Sequence, residues 1–213
     1  MIARVFPRRT SATPDDDLAF VGDPPLFLPA VEEVHVSCAF TWDRPEAERL
    51  ARAWANCGYK VSVGGPAYDA PAGEFTPGMY VKAGMTITSR GCIRRCPFCF
   101  VPRREGELTL LAIKPGWDIL DNNLLACPRE HVEAVLDMLN QQPRAARFTG
   151  GIDARLCRPW FARRLGRMRV QILYTAYDVP GARPAVERTI RMLRDEGLSQ
   201  RQVGCYVLVG QDG

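Results

Sequence analysis

From residue 85 to the end of the chain, short apolar runs alternate with amphipathic stretches, and this rhythm limits the fold more than any other feature. The runs fall at 85–89 (MTITS), 117–121 (WDILD), 146–150 (ARFTG), 169–177 (RVQILYTAY) and 203–209 (VGCYVLV). Between the later ones lie "PREHVEAVLDMLNQQ", "RPWFARRLGRM" and "RPAVERTIRMLRDEG". The first places Val132, Val135, Leu136 and Leu139 on one helical face, and the last does the same with Val186, Ile190 and Leu193 before Gly197 as a stop. Strand and helix repeating at about 30-residue spacing specify parallel βα units. In such folds the working residues stand at the C-terminal ends of the strands, where the loops converge.

Upstream the pattern differs. Residues 1–30 are punctuated by Pro7, Pro14, Pro24, Pro25 and Pro29 and are expected to be irregular. A strand is expected over 32–40, then a helix beginning near Asp43–Pro45 with Ala47, Leu50, Ala51 and Trp54 as its apolar stripe and Gly58 as its stop. A second strand, "YKVSVGGPA", completes a small β–α–β unit of Rossmann-like type. Its Gly64–Gly65 pair reads as a turn, since no G-x-G-x-x-G opens a helix there. A proline- and glycine-rich connector over 67–84 separates an N-terminal unit, 1–80, from a core over 81–213.

Of the 213 residues, 46% are hydrophobic and 24% charged, a globular balance, and no run approaches the roughly 18 apolar residues of a membrane span. The N-terminus lacks the apolar core of a secretory signal, so the expectation is a soluble, cytoplasmic protein without membrane contact. The net charge of +4 is carried by arginine, with lysine only at Lys60, Lys82 and Lys114. Clusters such as "IRRC", "VPRRE" and "FARRLGRMR" read as solvated faces. Nothing is basic enough to demand nucleic acid, although an RNA-binding accessory role is kept as the weakest alternative.

The eight cysteines divide unevenly. Cys38, Cys57, Cys127, Cys157 and Cys205 are scattered, mostly among apolar neighbours, and in a cytoplasmic chain read mainly as buried thiols. Cys92, Cys96 and Cys99 instead share one short loop after the first run of the core, spaced C-x3-C-x2-C. A structural zinc site wants a fourth ligand, which Cys127, His131 or Cys157 can supply. An iron–sulfur cluster on three thiolates leaves one iron free for a ligand. Zinc sites typically come as two C-x2-C pairs, so the spacing favours the cluster.

The stretch "CIRRCPFC", with Phe98 before the last cysteine, resembles the hallmark of the radical S-adenosylmethionine superfamily. That resemblance implies a partial (β/α) barrel, a four-iron four-sulfur cluster on Cys92, Cys96 and Cys99, and S-adenosylmethionine chelating the unique iron. It also implies an external electron donor and a substrate that surrenders a hydrogen; it names neither that substrate nor a catalytic residue. Phe98 is then expected beside the adenine, and Gly150 and Gly151 of "FTGGIDA" match a Gly-Gly-Glu type motif whose backbone binds the methionyl amino group. Asp153 stands one residue past the usual acid. Asp178 and Gly210 fall where the fourth and fifth strands meet the cofactor, and Asp121, Asn122 and Asn123 resemble a turn facing the cavity. Read without the resemblance, that last turn suits a helix cap before Pro128.

The whole pattern, with "TWD", "VGGPA", "TSRGC", "DNNLLAC" and "FTGGI", resembles uncharacterised phage and bacterial members of the superfamily related to its cobalamin-binding-domain branch. The D-x-H-x-x-G cobalt signature is absent, and His35 reads as a core histidine, so cobalamin is not expected. The core ends past a fifth strand, where the resemblance implies a sixth. The expectation is a C-terminally shortened barrel whose open edge meets a second copy or a partner. The alternative to the enzyme is a non-catalytic zinc or iron–sulfur module on the same cysteines.

Overall fold

The computed structural model describes residues 1–69 and 76–210; residues 70–75 of the expected connector and residues 211–213 lie outside the described residues. The chain divides into two compact units, Met1–Ala83 and Gly84–Gly213. Both are mixed α/β with parallel main sheets.

The first unit is larger than the expected β–α–β. Strands β1 (Ile2–Phe6), β2 (Ala19–Val21), β3 (Glu33–Ser37) and β4 (Lys60–Gly64) form a parallel sheet in the order β2-β1-β3-β4. Helix α1 (Arg44–Asn56) connects β3 to β4, with Pro45 in its first turn and Gly58 at positive φ just past its end. The expectation that residues 1–30 are irregular is therefore corrected at 2–6 and 19–21. Ala3 and Val5 alternate into the core, while Arg4 points the other way, bonding Asp16 and, at 3.0 Å, the Met79 carbonyl. Ala3, Val5, Val34 and Val36 pack with Ala47, Leu50 and Trp54 of α1. Asp43 does not cap α1 through its side chain; it pairs with Arg8 instead. His35 is a satisfied core histidine, with Nδ1 2.7 Å from Tyr80 Oη and Nε2 3.4 Å from Glu33 Oε2.

The second unit holds the alternating rhythm. In chain order it runs β5 (Met85–Thr86), β6 (Ser89–Arg90), α2 (Val101–Arg104), β7 (Thr109–Leu110), β8 (Asp118–Ile119), α3 (Arg129–Asn140), β9 (Ala146–Ile152), α4 (Pro159–Gly166), β10 (Val170–Tyr177), α5 (Arg183–Asp195) and β11 (Val203–Val207). The main sheet is parallel in the order β11-β10-β9-β8-β5, so spatial order follows chain order with no reversal. Among the described residues the sheet is open, with β5 and β11 at its edges.

The run at 85–89 splits. Met85–Thr86 stays in the main sheet, whereas Ser89–Arg90 pairs antiparallel with Thr109–Leu110. That small ribbon forms the neck of the cysteine loop. The four expected stripe residues of α3 are all buried, and each contributes about 1.5–3 kcal/mol of apolar burial against Phe148, Phe161 and Leu173. Of the scattered cysteines, Cys38, Cys127 and Cys157 are buried, whereas Cys57 and Cys205 are exposed.

Candidate metal and ligand site

The cysteine loop is closed at its base by backbone geometry. Gly91 has φ +76°, and a Cβ there would lie 2.1 Å from the Glu107 carbonyl oxygen, so only glycine lets the two sides of the loop meet. The Gly91 N–H donates to Asn122 Oδ1 at 3.1 Å, and Arg90 pairs with the nearly buried Glu105 at 2.8 Å. The Cys99 N–H closes a turn onto the Cys96 carbonyl at 3.0 Å.

Cys92, Cys96, Phe98 and Cys99 line a cavity of about 350 Å³ with Asn122, Asn123, Gly150, Gly151, Asp153, Arg155, Asp178 and Tyr206. These residues come from the cysteine loop and from the C-terminal ends of β8, β9, β10 and β11 or the turns that follow. Ten of the twelve residues expected at the site are thus gathered around one space, and Cys92, Cys96 and Cys99 all carry free thiols. Asp121 and Gly210 are not among its lining residues, and nor are Cys127, His131 or Cys157 as a fourth ligand. Asp153 lines the cavity but is already engaged by two arginines.

Those arginines were not legible as site residues. Arg94 Nε–H donates to Asp153 Oδ2 at 3.1 Å, and Arg155 Nε–H donates to Asp153 Oδ1 at 2.7 Å. The Arg155 backbone N–H adds a bond to Oδ1 at 3.0 Å. Burial by itself pushes the Asp153 carboxyl up, but the bonds and charge of Arg155, helped by Arg94, hold it below the ordinary carboxylate range. Asp178 has no such partner in its balance. Burial raises its pKa, the charge of Arg155 lowers it, and nearby Asp153 raises it again, for a net upward shift.

The turn after β8 divides its labour. Asp121 faces away from the cavity, accepting the Thr88 N–H, the Thr88 hydroxyl and the Ser89 hydroxyl, each at 2.6 Å. Burial nevertheless pushes its carboxyl up, against the opposing pull of those bonds. Asn122 holds the loop through Gly91. Asn123 donates Nδ2–H to the Cys92 sulfur at 3.4 Å, while its Oδ1 is buried without a partner. Neither asparagine makes a side-chain cap, so the capping use of this turn is not what the structure contains.

The glycine pair is also divided. A Cβ on Gly150 would lie 2.5 Å from the Asp121 carbonyl oxygen and 2.8 Å from the Leu120 carbonyl carbon, so Gly150 permits β9 to approach the backbone after β8. Gly151 has φ +85°, and a Cβ there would meet only ordinary van der Waals contacts, the nearest 3.6 Å away at the Tyr174 carbonyl oxygen. Tyr206, a further residue missed in the sequence, stacks on Tyr174 at 4.5 Å and donates its hydroxyl to the Thr149 carbonyl at 3.0 Å.

The donor sets can be compared with the groups they suit. Tetrahedral zinc with bonds of about 2.3 Å draws its thiolates to within about 4 Å of one another. Among the described residues, the trio whose ligand atoms all lie within 4.8 Å is Asp121, Cys127 and His131, not the three cysteines. Thiolates that each take a different iron of one cluster stand further apart. The three cysteine sulfurs are therefore not all gathered as closely as a single zinc ion would hold them. The Asp121 trio is a hydrogen-bonded knot around Thr88 and Ser89, with His131 Nε2 3.3 Å from the Thr88 hydroxyl.

Comparison with protein-family models, with curated proteins and with solved structures finds no match for this chain. No helix among the described residues is long and apolar enough to cross a membrane.

Proposed function

We propose that the second unit is a partial βα barrel of radical S-adenosylmethionine type that holds a four-iron four-sulfur cluster on Cys92, Cys96 and Cys99. The observation that carries this reading is one cavity at the C-terminal ends of parallel strands, lined together by the three cysteines, Phe98 and the Gly150–Gly151 backbone. The strand order, unreversed along the chain, supports a barrel segment rather than a doubly wound sheet.

When bound on Cys92, Cys96 and Cys99, such a cluster would supply one electron for the reductive cleavage of S-adenosylmethionine. The chain's own residues hold and shield the site. Gly91, Asn122 and the Arg90–Glu105 pair fix the neck of the loop. Arg94 and Arg155 both engage Asp153, so this trio leaves one net positive charge on the cavity wall. Phe98 offers a flat apolar face for an adenine ring. Asp178, with its raised carboxyl pKa, is the carboxylate at the site without an arginine bond of its own and suits a ribose hydroxyl or ammonium donor.

The electron comes from an external donor, and the substrate is set by cavity-facing side chains. A non-catalytic zinc module on the same cysteines is the weaker reading, since their sulfurs are not gathered at zinc spacing. The RNA-binding alternative loses support because Arg94, Arg155 and Arg164 are engaged by Asp153 and Asp137. Anaerobic reconstitution with iron and sulfide tests the proposal: about four irons per chain, with the absorbance lost in a C92A/C96A/C99A variant, supports it. A colourless protein holding one zinc contradicts it.

A further inference from the structure

We infer that Asn123 is a positioning residue that raises the reduction potential of the centre on the cysteine loop through its bond to the Cys92 sulfur, and that its oxygen receives a donor from the molecule bound in the cavity. This rests on the reading of the three cysteines as ligands of an iron–sulfur cluster.

Two independent features of one side chain carry the inference. The first is the Nδ2–H bond to Cys92 Sγ at 3.4 Å. A metal-bound cysteinate sulfur can only accept, so the amide must turn its nitrogen toward Cys92 and its oxygen the other way. The second is that oxygen. Asn123 is only 4% exposed, lines the cavity, and its Oδ1 has no partner. A buried amide oxygen left unpaired costs about 1–3 kcal/mol, a penalty removed when an N–H or O–H of a bound molecule reaches it. S-Adenosylmethionine carries both kinds of donor, an ammonium and two ribose hydroxyls.

The neighbouring side chain shows that this orientation is not a general property of the turn. Asn122 spends its own oxygen on the Gly91 backbone, which leaves Asn123 as the amide directed at a sulfur. The Arg94 backbone N–H reaches the same sulfur at 3.3 Å, so Cys92 sits in a small N–H cage of which Asn123 is the side-chain part. Hydrogen bonds to cluster sulfurs stabilise the more electron-rich reduced state, and losing one lowers the potential. The couple concerned is a single electron taken up by the oxidised cluster from the reductant.

The test compares wild type, N123L and N123A after reconstitution, using three readouts: iron and sulfide content, the midpoint potential from an EPR-monitored dithionite titration, and S-adenosylmethionine binding by equilibrium dialysis. With iron content equal, the expected result for both variants is a fall of about tenfold in the reduced-to-oxidised ratio at fixed applied potential, or about 59 mV for one electron. Binding of S-adenosylmethionine to N123L weakens severalfold. N123A removes the N–H without adding a charge, so it decides the question if N123L does not fold. Equal midpoints in loaded wild type and variants overturn the role of Asn123 while leaving the cluster reading intact. A shifted midpoint with unchanged binding overturns the acceptor half. A wild type that takes up no cluster overturns both this inference and the reading beneath it.

Discussion

Arg94 on the cysteine loop donates its Nε–H to Asp153 just past the end of β9, 3.1 Å away, and this pair joins the cysteine loop to the main sheet. Asp153 is 8% exposed, so its charge depends on that bond and on Arg155. D153N removes the charge and weakens the bonds, and is expected to destabilise the metal-free protein by about 2 kcal/mol in urea unfolding. The pH dependence follows from the lowered carboxyl. Its contribution is present above the ordinary value of 3.8 and is lost as the pH falls through the lower folded value. The melting temperature of wild type should therefore drop more steeply than that of D153N on acidification below about pH 4.

Gly91 is the residue of "SRGC" on which loop closure turns. G91A forces a Cβ to within 2.1 Å of the Glu107 carbonyl and places alanine at φ +76°. Combined strain and overlap of this kind cost about 2–5 kcal/mol, taking the left-handed penalty with an overpacking penalty. Reconstituted G91A is expected to retain well under half of the wild-type iron after desalting.

Substitution of the two glycines of β9 separates packing from backbone freedom. In G150A the new Cβ meets backbone of Leu120 and Asp121, which cannot yield as a side chain would. G151A meets nothing closer than 3.6 Å and bears only the conformational penalty, about 1–2 kcal/mol. Urea midpoints should rank wild type above G151A and G151A above G150A.

Phe98 is half-buried against the cavity. If it walls the adenine, F98A loses about 1.5 kcal/mol of ring contact, roughly tenfold in S-adenosylmethionine affinity, with iron content unchanged. Equilibrium dialysis on the reconstituted protein reads both quantities.

The order of the core's later strands and helices was legible because α3, α4 and α5 alternate with the apolar runs of β9, β10 and β11, whereas the split of the run at 85–89 was not. Val132, Val135, Leu136 and Leu139 could only face one way, and they do. The N-terminal strand Ile2–Phe6 was not legible: Arg4 interrupts the apolar run and prolines crowd the segment, and only long-range pairing with β3 makes it a strand. The cysteine trio announced a site through its chemistry and spacing, whereas Phe98 and the glycine pair were expected there only through the family resemblance. Arg94 and Arg155 did not, because an arginine is assigned to a site by the carboxylate it reaches, and Asp153 is 59 residues from Arg94. Likewise Asp121 resembled a cavity residue in sequence, yet three donors from Thr88 and Ser89 turn it away. Side-chain direction at a turn is decided by partners distant in the chain.

The most direct measurement is product analysis of the reconstituted protein incubated anaerobically with S-adenosylmethionine and dithionite. The account predicts 5′-deoxyadenosine and methionine in equal amounts, both absent from the C92A/C96A/C99A variant. A fully loaded four-iron protein that binds S-adenosylmethionine yet releases neither product would contradict it.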